Sequence, residues 1–135
     1  MNLFQLGDFK LHSGEKSSYK IECDALTNDD WKALASIVFK MVGLFSSVEG
    51  VPEGGLKLAK ELSFFVSNTG PHLIVDDVLT TGASMEALWQ KNLADSFYSP
   101  YRTIDGKAIV GVVIFARGPC LPWIRPLFQI HERLW

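Results

Sequence analysis

No apolar run in this sequence approaches the ~18 residues that a membrane span requires, and the amino terminus lacks a signal-peptide pattern. Charge of one sign is missing as well. Lys+Arg 13 against Asp+Glu 15 leave a net −2, so no basic field is on offer to nucleic acid or an anionic membrane surface. Cysteine is scarce. Cys23 and Cys120 stand far apart, without C-x-x-C spacing or nearby histidines, which argues against structural zinc and fits two reduced thiols. Gly-x4-Gly-Lys-Ser/Thr is absent, which excludes a nucleotide P-loop. Repeats, low-complexity tracts and linkers are absent too. The expectation is a soluble cytoplasmic protein with neither nucleic acid nor membrane as partner.

What is present is an ordinary globular chain. Its 135 residues, 47% hydrophobic, suffice for one core and suggest a single domain over residues 1–135. Phe4 to Leu11 and Ser18 to Cys23 semi-alternate as strands do, around a turn at His12–Lys16. Thr27 followed by Asp30 predicts a helix N-cap, Leu34, Ile37, Val38, Met41 and Val42 give helical spacing, and Gly43 ends it. A short strand within Leu44–Val51 and a second helix from Leu56 to Val66 follow, stopped by Asn68-Thr69-Gly70-Pro71. His72 to Val75 reads as a strand, Ala83 to about Ala94 as a third helix, and Asp105–Gly106 as a turn. AIVGVVIF, residues 108–115, lacks alternation and predicts a central parallel strand covered on both faces. Leu127–Ile130 suggests a last strand, and Trp123 and Trp135 are expected to serve packing. Strands alternating with helices predict an α/β parallel sheet flanked by helices.

HLIVDDVLTTGASM, residues 72–85, is the informative stretch. Three apolar residues run into Asp76 and Asp77, which are costly to bury unless something positive meets them. Thr80, Thr81, Gly82, Ala83 and Ser84 then supply hydroxyls and a permissive backbone at a predicted helix start, suited to an anion. The reading places the acid pair where the strand ends and the loop begins. That is the edge at which open α/β sheets bind ligands. A receiver domain fails on spacing, because the pair lies past mid-chain and Asp105 precedes its strand. Capping acids remain the structural alternative for Asp76 and Asp77.

VDDVLTTGAS resembles the phosphoribosyl-pyrophosphate (PRPP) motif of type I phosphoribosyltransferases. LGDFKLHSGEKSSYKIECDAL, residues 6–26, is similar to the amino-terminal hood of orotate phosphoribosyltransferases, making residues 1–26 a hood segment. GVPEGGLKLA, residues 50–59, resembles that family's pyrophosphate loop, and VVIFARG, residues 112–118, its strand ending in Asp-Arg. The resemblance implies a trimmed phosphoribosyltransferase sheet with a hood. It implies that Thr80–Ser84 bind the 5′-phosphate, and that Asp76 and Asp77 are the catalytic acids holding ribose hydroxyls and Mg²⁺. Gly54 and Gly55 would admit the pyrophosphate, Arg117 would hydrogen-bond the base, and Tyr19, Lys20 and Ile21 would close over it. Substrates would be PRPP and a nucleobase, orotate or another pyrimidine, and the assembly a homodimer.

The sequence also departs from the family. Only residues 60–71 separate Ala59 from His72, too few for the family's further strand and catalytic flap. Glu53 stands in the pyrophosphate loop, where an acid opposes an anion unless a metal intervenes. His12 replaces a usual Lys, and Ala116 the Asp before Arg117. Two functions are therefore expected: PRPP-dependent transfer to a nucleobase, or a catalytically weak or inactive PRPP- or nucleotide-binding regulatory protein.

Overall fold

A computed structural model describes residues 1–11, 14–95, 103–104 and 107–131. Strands β1 (Phe4–Lys10) and β2 (Lys16–Ile21) form an antiparallel hairpin, followed by a 3-10 turn at Cys23–Ala25. Helix α1 (Asn28–Val42) begins with a full capping box. Thr27 Oγ1 accepts from the Asp30 N–H while Asp30 accepts from the Thr27 N–H, and Gly43 closes the other end. Then come β3 (Ser47–Gly50), α2 (Leu56–Leu62) with a 3-10 extension at Ser63–Phe65, β4 (His72–Leu79) and α3 (Ala83–Asp95). Strands β5 (Thr103–Ile104), β6 (Lys107–Ala116) and β7 (Ile124–Gln129) complete the order. The turns expected at His12–Ser13 and Asp105–Gly106, and Trp135, lie outside the described residues.

The predicted α/β architecture is present. A parallel sheet runs β3-β4-β6-β7, with β5 as a short antiparallel partner of β6. Alternation divides the strand side chains between two cores. Leu73, Val75, Val112 and Ile114 pack with Trp31, Ala35 and Val38 of α1 and with Leu58 and Leu62 of α2. Ile74, Val113 and Ile109 face the other way, onto Met85, Leu88 and Trp89 of α3 and onto Trp123. This two-sided cover explains why β6 reads as a continuous apolar run.

The steps from β3 to β4 and from β4 to β6 go the same way across the sheet, yet α2 and α3 cover opposite faces. The two crossovers therefore have opposite hands, and one is the rare left-handed form.

Three differences from the sequence reading have physical causes. Strand β4 does not stop at Val75 but continues through the acid pair to Leu79, with Asp76 paired to Val113 and Leu79 to Ala116. The ladder to β6 supports the extra residues. Ile37 and Met41, which share the helical spacing of α1, are 45% and 37% exposed, because, of that set, α1 buries Val38 and turns Trp31 and Ala35 inward beside it. Strand β7 starts at Ile124 rather than Leu127 and contains Pro126, which is tolerated because β6 is its one partner among the described strands.

Candidate functional site

Three loops leave the carboxyl ends of β3, β4 and β6 and are tied together by backbone hydrogen bonds. The Val51 N–H donates to the Val75 carbonyl at 2.9 Å, and the Arg117 N–H to the Leu79 carbonyl at 2.8 Å. Residues 50–55, 76–84 and 117–118 thus converge on one edge of the sheet, where an open α/β sheet presents ligands.

The loop after β4 shapes an anion cradle. Asp76, Val78 to Ser84 and Met85 line a concavity of about 40 Å³. Gly82 takes φ +86, a left-handed turn that glycine adopts without strain, and α3 starts at the next residue. The helix start offers backbone N–H groups without intrahelical acceptors. Thr81 Oγ1 accepts from the Ala83 N–H at 3.3 Å, so that hydroxyl helps form the turn. Glu86, the acid in the first helical turn, accepts from Trp123 Nε1 at 2.8 Å, which engages one of its oxygens away from an incoming anion.

The two acids sit unequally. Asp76 is buried, 8% exposed, and its Oδ1 accepts from the Asp77 N–H at 2.8 Å. Asp77 is half-buried, and its Oδ1 accepts from the Val78 N–H at 2.6 Å. Burial, reinforced by the neighbouring Asp77, pushes the Asp76 carboxyl up to about 8. Asp76 is thus disposed to hold a proton, and a divalent cation is the natural replacement for it. Cys23 lies beside Asp77. Burial first, and the Asp77 charge second, push its thiol up to about 12, so it stays protonated and inert.

A pH dependence follows, and its sign is set by the direction of the Asp76 shift. The folded carboxyl binds its proton more tightly than the unfolded one, whose ordinary value is 3.8. That stabilisation is complete below about pH 4 and is lost as pH rises through about 8. The ligand-free protein should therefore melt at a lower temperature at pH 8 than at pH 5, relative to Asp76→Asn. Burial favours neutral His72, which pushes in the opposite direction. Differential scanning calorimetry of both proteins isolates the Asp76 contribution, and parallel profiles for the two would refute it.

The glycine loop is built against these acids. A side chain on Gly54 would strike the Asp77 carboxylate, and one on Gly55 would strike the Val75 carbonyl and the Val51 backbone. Gly55 is therefore required by the backbone around it, Gly54 leaves room for the Asp77 carboxylate, and the Pro52–Glu53 peptide between these glycines and β3 is cis.

Arg117 leaves the end of β6 and meets the hairpin. Its guanidinium lies 3.7 Å from the centre of the Tyr19 ring, Nη1 donates to the Tyr19 carbonyl at 3.3 Å, and Nη2 donates to Ser17 Oγ. Beside it, Arg117, Gly118, Pro119, Gln129, Ile130 and His131 line a cavity of about 430 Å³. The other hood residues are divided. Lys20 Nζ lies 2.7 Å from Glu22, and the Ile21 side chain is in the core with Trp31. Ile21 can support the site but not line it. Ser17 and Gly118, whose added Cβ would meet the Thr80 carbonyl at 2.7 Å, escaped the sequence reading. Only the run SSYK in the hood and the ARG tripeptide point to them.

No protein-family model matches the chain, and no curated protein matches it in sequence. Solved structures do match. Orotate phosphoribosyltransferase from Aeropyrum pernix is 20% identical at a TM-score of 0.74, over 95% of this chain and 88% of that one. The Mycobacterium tuberculosis H37Rv orotate phosphoribosyltransferase in complex with Fe(III) dicitrate is 14% identical at 0.64, over 94% and 89%. Leishmania donovani UMP synthase is 16% identical at 0.66, over 96% of this chain but 33% of that one. The fold is that of type I phosphoribosyltransferases, trimmed.

Proposed function

We propose that the protein binds PRPP with Mg²⁺ and transfers its ribose 5-phosphate to a nucleobase, orotate or another pyrimidine. The observation that carries this is the direct run of β4 through Asp76 and Asp77 into the Thr80–Ser84 cradle, with the Gly54–Gly55 loop against Asp77. The fold likeness supports it.

The donor set fits Mg²⁺, which takes one or two carboxylates and leaves its other positions to water and ligand oxygens. Among the described residues no cluster of three metal-ligating side chains occurs, so the ion would share its sphere with the substrate. Bound by Asp76 and Asp77, it would supply positive charge to the leaving pyrophosphate. The chain's own residues do the positioning. Thr80, Thr81, Gly82, Ala83 and Ser84 hold the 5′-phosphate at the start of α3. Asp76 and Asp77 accept from the ribose hydroxyls. Arg117 hydrogen-bonds the base and Tyr19 closes over it, with Lys20 at the rim. A base nitrogen donates its electron pair to the anomeric carbon as the carbon–oxygen bond breaks and its electrons leave with pyrophosphate. Alignment of these partners is the main contribution.

A second reading, a catalytically weak or inactive binder with regulatory duty, is favoured by the stretch Val66–Pro71. That stretch links the 3-10 turn after α2 to β4 and holds no strand. A strand entered after α2 on the outer side of β3 would reverse that step and give both crossovers one hand. Removal of such a strand would leave this mixed handedness, and a flap carried between α2 and β4 would go with it. Oxyanion contacts of that kind contribute roughly 3–4 kcal/mol each.

Calorimetric titration with PRPP, with and without Mg²⁺, followed by orotate and a pyrophosphate-release assay, decides between the readings. Binding with release establishes the transferase, binding without release the regulatory protein, and no binding refutes both. Light scattering tests the dimer that accompanies either reading.

A further inference from the structure

We propose that Lys57 is the cation that contacts the pyrophosphate group, held in the ligand-free protein by Asp24. This inference rests on the PRPP reading and extends it to a residue outside the motif. A side chain at Gly54 would displace the Asp77 carboxylate, so the loop gains no cation there without disturbing the acid pair. It carries Glu53 instead, a charge of the wrong sign for phosphate. Helix α2 has seven residues and begins directly after the loop, too short to supply a strong dipole. With Mg²⁺ taken up by Asp76 and Asp77, a positive group on the protein is still wanted to offset Glu53 when a polyanion arrives.

Among the described residues, Arg117 is engaged by Ser17 and Tyr19 and Lys20 by Glu22. Lys57 differs. It lies in the first turn of α2, two residues beyond Gly55, and helical side chains tilt toward the helix N-terminus, which aims this one back over the loop. Its Nζ is 3.6 Å from Asp24 Oδ1, and the two side chains are 58% and 74% exposed. An ion pair so long and so open is weak and easily exchanged for a phosphate oxygen. Asp24 also adjoins Cys23, which interacts with Asp77, so one residue links the lysine's partner to the acid pair.

The test uses inorganic pyrophosphate, PRPP and ribose 5-phosphate, each titrated with Mg²⁺ into wild type, Lys57→Met, Lys57→Arg and Asp24→Asn. Lys57→Met should weaken pyrophosphate and PRPP about tenfold and leave ribose 5-phosphate unchanged, Lys57→Arg should restore most of the affinity, and Asp24→Asn should tighten pyrophosphate by releasing the lysine. An ion pair serving only the fold would make the Met and Asn variants behave alike, and that outcome overturns the proposal. So does unchanged pyrophosphate affinity in Lys57→Met. Wild type that binds pyrophosphate through Lys57 but not PRPP would sink the transferase reading while leaving the lysine's role intact. Wild type that binds neither overturns both.

Discussion

Asp76→Asn and Asp77→Asn are each expected to reduce Mg²⁺-dependent PRPP affinity by at least about 100-fold, because even outer-shell partners of a metal contribute 10- to 100-fold. The informative part is the accompanying stability. Acids that cap or brace a fold lower its melting temperature when replaced. Asp76 should do the reverse at pH 8, where its buried carboxyl is losing a proton that the fold prefers to keep. Asn reproduces the neutral form, so Asp76→Asn is expected to stabilise the ligand-free protein by about 1–3 kcal/mol there. Asp77 is more open, and its Oδ1 already accepts from the Val78 N–H, so its replacement should leave stability within about 1 kcal/mol. Isothermal calorimetry and thermal melts of the two variants read both quantities. Retained PRPP affinity, or a lower melting temperature for Asp76→Asn, would assign the pair a structural role.

The same pair shows what the sequence reveals and what it hides. Segments with strong periodicity or end signals were readable: the Thr27 box, the Gly43 stop and the covered strand β6 all stand where the pattern puts them. The strand through Asp76 and Asp77 was not, because adjacent carboxylates look like the end of a ladder. Their burial is made tolerable by the Asp77 and Val78 N–H groups and by the pairing to β6, none of which is local information. Ile37 and Met41 fit the helical period as well as Trp31 and Val38 do, and the neighbours of α1 alone decide which set turns inward. Within the candidate site, the contiguous motif from Asp76 to Ser84 could be read directly. The partners brought from a distance could not: Ser17 reaches Arg117 across 100 positions, and Asp24 reaches Lys57 across the whole of α1.

Phe4 meets Phe115 edge-on at 5.7 Å, and Phe115 stacks on Phe128 at 5.5 Å, so an aromatic ladder joins the hairpin to the sheet edge. Together with Arg117 on Tyr19 it anchors the hairpin at two places on β6. The orientation of the base-side residues therefore depends on the sheet, and a hood read alone as a sequence motif does not reveal it.

Gly55→Ala is expected to have the largest effect on the fold of any single methyl addition in the glycine loop. The backbone of Gly55 is right-handed, with φ −84, so conformational strain is not the cause. The added carbon would fall on the Val75 carbonyl, the Val51 nitrogen at 2.7 Å and the Val51 carbonyl oxygen at 3.0 Å. These are backbone atoms of a buried strand and of the residue hydrogen-bonded to it, and none can rotate away. The loop must lift, breaking the bond from the Val51 N–H to Val75 and withdrawing Gly54 from Asp77. A cost of about 3 kcal/mol, at the upper end for overpacking, corresponds to a fall of roughly 10 °C in melting temperature for a domain of this size. Gly54→Ala separates stability from ligand binding. Its carbon meets the end of a side chain, which can swing aside, so that variant should keep most of its stability but lose PRPP affinity as Asp77 is displaced. Melting curves and PRPP titrations should therefore separate the two variants: Gly55→Ala loses much of its stability, whereas Gly54→Ala loses PRPP affinity at near wild-type stability. If Gly55→Ala melts with the wild type, the loop is not clamped to β4, and the glycine pair would be free to answer to the ligand alone.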